Sequence, residues 1–99
     1  MARAKLVRSV DVFLSGGWRA VIKIWELPAI TPGHHRARYR LSLISPSGDR
    51  VVGYDNHHPK EDHRHFRGAE ETYHYKDPET LIRDFLKDVD RVLSEKEDS

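Results

Sequence analysis

Ninety-nine residues, 37% hydrophobic and 33% charged, are enough for one domain around one economical core. The lack of cysteine excludes a disulfide framework and a thiolate zinc site, and the apolar runs are too short to span a bilayer. Net charge is only +1, but residues 1–40 carry eight Lys/Arg against two Asp/Glu, residues 41–69 carry four of each, and residues 70–99 carry five against ten. A basic sheet drawn to an acidic helix accounts for this split, and so does a basic face that meets phosphate or an acidic partner. The opening segment MARAKLVRSV lacks the apolar run of a secretory signal, so a cytoplasmic protein without membrane contact is expected.

Residues 4–14 alternate and are rich in Val and Leu, which predicts a strand. The SGG at 15–17 marks a turn, because glycine takes positive φ without steric cost. Residues 18–27 alternate again, with Trp18, Ala20, Ile22 and Ile24 on one side and Val21, Lys23 and Trp25 on the other. Two prolines and a glycine make 28–37 a loop that exposes His34 and His35. Residues 38–45 predict a third strand, with Tyr39, Leu41 and Leu43 opposite Arg38, Arg40 and Ser42. PSGD at 46–49 turns into a fourth strand at 50–56, and 72–76 gives a short fifth.

From Asp77 onward the period switches to helical. Asp77 can cap, Pro78 suits the first helical position, and Glu79 favours the positive end of the dipole. Leu81, Phe85, Val89 and Val92 form the stripe that needs a sheet to cover. The expected fold is α+β, a single domain over 1–99: an antiparallel meander of four or five strands with one C-terminal helix across one face. The other face, with Trp25 and Arg38, is half polar, which makes a homodimer or partner interface an expectation.

The stretch YDNHHPKEDHRHFRG at 54–68 holds four of the seven histidines. It is read as a loop at the end of a strand, where chemistry is common. Three readings compete. His63 and His65 project from one side of an extended chain, as two metal ligands must, and Asp55, Asp62, His57 or His58 would complete a site. Lys60, Arg64 and Arg67 crowd that site with positive charge, so neither metal nor cofactor is expected. The second reading is metal-independent RNA cleavage, which needs a base for the 2′-hydroxyl, an acid for the leaving oxygen and cations on the phosphate. Histidine suits both proton roles, and arginine binds phosphate oxygens in a bidentate fork. On this reading His63 and His65 transfer protons, Arg64 holds the phosphate and Asp55 orients an imidazole. Lys60, Arg67 and Asn56 contact substrate, and Tyr73 is a surface on which a base stacks. The third reading is structural: Asp55 and Asn56 form a turn and the histidines are solvated.

Tyr54-Asp55-Asn56, Lys60, Asp62-His63-Arg64-His65, Tyr73, Leu81-Ile82, Asp84-Phe85 and Asp88-Val89 together resemble the TumE-type toxin family of bacterial and archaeal toxin–antitoxin modules. That family carries a YDN…KGDHRH segment, a nearby aromatic strand and a closing helix with a DF..DV-like signature, which DFLKDV at 84–89 matches. Glu61 departs from the family's usual glycine. The resemblance implies a toxin encoded beside a DNA-binding antitoxin, commonly a helix-turn-helix protein. Many small toxins act on RNA, so it also favours an endoribonuclease over a non-catalytic module that binds the antitoxin or nucleic acid.

Overall fold

A computed structural model describes residues 5–27, 36–58 and 61–97. Strand β1 (Lys5–Phe13) returns as β2 (Arg19–Leu27) through a tight turn at Ser15–Gly17. There Gly16 and Gly17 take φ of 78° and 86°, values that a side chain disfavours, and the Leu14 N–H donates to the Trp18 carbonyl at 2.7 Å. Strands β3 (Arg36–Ile44) and β4 (Arg50–His58) are joined by the expected PSGD turn. β5 (Glu61–Phe66), β6 (Ala69–Thr72) and the helix α1 (Pro78–Glu97) complete the chain. The sheet is a six-stranded antiparallel meander in sequence order. Among the described residues, no helix is long and apolar enough to cross a membrane.

The fold is thus α+β with one C-terminal helix, as expected, but the sheet has six strands where four or five were predicted. Where a loop was expected, the described part of the histidine-rich stretch up to Phe66 is strand: Tyr54 to His58 complete β4, and Glu61–Phe66 is β5, paired with β4. The segment 73–77 lies outside any strand, so the strand expected at 72–76 ends at Thr72. β5 and β6 form a hairpin whose two turn residues, Arg67 at φ 50° and Gly68 at φ 85°, both have positive φ, the requirement of a tight two-residue turn that follows strand twist. The expected loop at 28–37 falls mostly outside the described residues, His34 and His35 with it.

Strand alternation gives the sheet two faces. One carries Trp18, Ile22, Ile24, Tyr39, Leu41, Leu43, Val52 and Tyr54, all buried. α1 packs there over β3 and β4 with Leu81, Phe85, Val89 and Val92 at 0%, 0%, 7% and 2% exposure. The helix begins as its sequence predicts, with the Thr80 N–H donating to Asp77 Oδ1 at 2.7 Å. That backbone bond holds the Asp77 carboxyl below the usual carboxylate range.

Candidate active site

Two cross-strand rows position the open face. The first runs Ser9, Lys23, Arg40, Asp55, His63, Thr72, and the second runs Asp11, Val21, Ser42, Gly53, His65, Glu70. Residues directly opposite in an antiparallel ladder share a face, so Asp55, His63 and His65 meet there. The His63 and His65 ring centroids are 6.3 Å apart. His65 Nε2 is 3.5 Å from Asp55 Oδ2, and His63 Nδ1 is 3.3 Å from Glu70 Oε1.

Asp55 is 4% exposed, and a carboxylate that dry needs a partner. Arg50 supplies it, donating from Nη1 to Asp55 Oδ2 at 2.8 Å. Its Nε donates to Ser42 Oγ at 2.9 Å and its Nη2 to the Leu41 carbonyl at 3.0 Å. Arg50 lies flat over Gly53, where any Cβ would collide with the guanidinium. Three of the five guanidinium N–H groups are thereby engaged, which leaves donors for an anion. Arg50 and Glu70 were not anticipated from the sequence. The available signal for Arg50 was a glycine inside a strand, a mark of close approach by another group.

Arg64 does not join this cluster. Alternation sends it through the sheet's other face, opposite Tyr54 and Glu71. There its Nε and Nη2 donate to both oxygens of Asp88 at 2.8 Å each, and its Nη1 donates to Glu71 Oε1 at 2.6 Å. Tyr54 donates to the same Asp88 at 2.5 Å, and Arg64 Nε is 3.0 Å from the Tyr54 hydroxyl oxygen. The carboxylate of Asp88 raises the already high Arg64 pKa.

Tyr73 is on this side too. Its hydroxyl donates to Asp84 Oδ2 at 2.6 Å, and its ring meets Tyr54 edge-on at 4.9 Å. Asp62 accepts the Tyr39 hydroxyl at 2.6 Å, while Tyr39 stacks on Tyr75 at 5.4 Å. Burial, reinforced by these carboxylates, pushes the hydroxyls of Tyr39, Tyr54 and Tyr73 upward, and burial pushes Tyr75 up to about 12.

The other expected substrate contacts also have structural partners. Asn56 accepts the Tyr39 N–H at 2.9 Å and donates to the Ala37 carbonyl at 2.6 Å, so it continues the β3–β4 ladder with its side chain. Arg67 pairs with Glu95 beside Phe66. Lys60 lies outside the described residues, as do the side chains of His57 and His58. Among the described residues, no three His, Asp or Glu side chains are disposed to hold a metal ion.

The family model described as Toxin TumE matches residues 3–93. No curated protein and no solved structure matches the chain.

Proposed function

The chain belongs to the TumE toxin family, and from that premise we propose that its open sheet face cleaves RNA without a metal. The observation that carries this reading is the pairing of His63 and His65 on one face, 6.3 Å between ring centroids, with an acid beside each ring and Arg50 beside Asp55. A phosphodiester between the rings can give its 2′-hydroxyl proton to one imidazole while the other protonates the departing 5′-oxygen. The 2′-oxygen bonds to phosphorus, the bond to the 5′-oxygen breaks, and the products are a 2′,3′-cyclic phosphate and a 5′-hydroxyl. Asp55 positions His65, and Glu70 positions His63. Arg50 and Arg40 replace Arg64 as the cations on the phosphate, because they share the histidines' face. The partner is a cognate antitoxin, a helix-turn-helix protein that meets the basic strands in the cytoplasm.

Induction of the wild-type chain and of a His63→Ala/His65→Ala variant, with total RNA sequenced for new 5′ ends, tests the reading. Wild type alone should create them. With purified protein, each single alanine variant should lose about 10²–10⁴-fold in rate while its melting temperature stays near that of wild type. A chelator should leave cleavage intact, and 2′-deoxyribose at the cut site should abolish it. Inhibition by the chelator, or cutting of the deoxy substrate, would transfer the role of nucleophile to a water.

A further inference from the structure

The histidine pair occupies one end of the open face, and the row that holds His63 continues across β4, β3 and β2 to Arg40 and Lys23. A groove beside it is lined by Lys23, Arg40, Ser42 and Arg50 together with the apolar Val21 and Ile44. Neighbouring strands lie roughly 4.8 Å apart, so this row presents a cation on each of two successive strands. Lys23 bonds to the neutral Ser9 hydroxyl at 2.6 Å, and the nearby Asp11 carboxylate is engaged mainly by Arg19 at 2.6 Å. Two residues along β2, on the same face, is Trp25, between Leu6 and Arg38. It is only partly buried, whereas Trp18 is in the core at 7% exposure. Trp25 lies three strands from His63, roughly 14 Å in the pairing direction.

We infer that this row is a binding track for single-stranded RNA, with the backbone over Arg50, Arg40 and Lys23 and a base stacked on Trp25, a few nucleotides from the bond between the histidines. The inference rests on the proposal that the open face acts on RNA, and adds the form of the substrate and a remote subsite. Cations at strand spacing that end at an aromatic ring match what an unpaired strand offers: regular phosphates and free base faces. A duplex keeps its bases stacked on each other and gives Trp25 nothing to cover. An acidic protein segment would use the cations but not the ring.

The test is binding of a short 2′-O-methylated single strand, which cannot be cleaved by its own 2′-oxygen, followed by tryptophan fluorescence and anisotropy. The single strand should quench the emission, and Trp25→Ala should remove the quench and weaken binding roughly tenfold. Trp25→Phe should restore most of the affinity. Lys23→Ala should lower the slope of log affinity against log salt by about 0.7. Equal affinity for a duplex or for polyglutamate, or wild-type affinity in Trp25→Ala, overturns the track. Trp25-dependent binding by a protein that leaves unmodified RNA intact upholds it while removing the nuclease. Cleavage that is indifferent to Trp25 and Lys23 does the reverse.

Discussion

The two faces of the sheet use the same residue types for opposite ends. On the helix side, Asp88 binds Arg64 through both oxygens and also accepts Tyr54, Asp84 accepts Tyr73, and Phe85 packs edge-on to Tyr54 at 6.2 Å. On the open side, Arg50 and Asp55 sit beside two largely covered imidazoles. On one face the polar groups tie the helix to the sheet, and on the other they pair with neighbours within the sheet. The difference gives DFLKDV at 84–89 a structural role in this chain: Asp84, Phe85 and Asp88 help lock α1 to the sheet and stand apart from the proposed chemistry.

The largest effect on the closed face is expected at Phe85, which is fully buried. Phe85→Ala should cost about 3–5 kcal/mol in urea unfolding. Asp88→Ala strands Arg64 and the Tyr54 hydroxyl together. It should cost about 3 kcal/mol, the low end for a broken buried pair, because Glu71 retains part of the Arg64 charge. Arg64→Lys sharpens the contrast between faces. It removes the two-pronged contact with Asp88, so it should lower stability by less than Asp88→Ala and leave the salt dependence of RNA binding unchanged. A reduced salt slope would return Arg64 to the phosphate.

The closed face was legible in large part from the sequence. Alternation sorted Trp18 to Ile24 and Tyr39 to Leu43, and the helix stripe was read residue by residue, because periods of two and 3.6 follow directly from burial on one side. The open face was half legible. The alternation that pairs His63 with His65 also dictates that Arg64 leaves through the other side, so grouping all three gave more weight to residue type than to direction. The β5–β6 hairpin was hidden because an arginine occupies a positive-φ turn position normally marked by Asn, Asp or Gly. Arg50 was hidden because its reach depends on the shift in β3–β4 register between Leu43 and Ile44, which composition does not encode. Glu70 became visible only once β6 was paired with β5.

A smaller effect on the closed face separates it by pH. The four tyrosines are the only ones in the chain, and all have folded-state pKa values above the ordinary one. A raised folded pKa contributes stability that is fully present below the unfolded value, about 10, and is lost as pH climbs beyond it. Unfolding free energy should therefore fall above pH 10, by up to about 1.4 kcal/mol per pH unit for each of the buried Tyr39 and Tyr54. Tyrosinate absorbance should lag behind that of the urea-unfolded chain over the same interval. Coincident titrations would show that the hydroxyls are not closed in by Asp62, Asp84 and Asp88.

Gly53 makes positions 50 and 53 a single heritable unit. The space over its Cα is occupied by the end of a flexible side chain, so Gly53→Ala should leave the sheet folded and evict only the Arg50 guanidinium from Ser42 and Asp55. Paired with Arg50→Ala, the same substitution meets no obstacle, and a double-mutant cycle on stability should show coupling between the two sites. Across descendants of this chain, an arginine at 50 should forbid any side chain at 53, while loss of the arginine should release it. A relative with a bulky residue at 53 would thus be one in which the open face has given up its central cation.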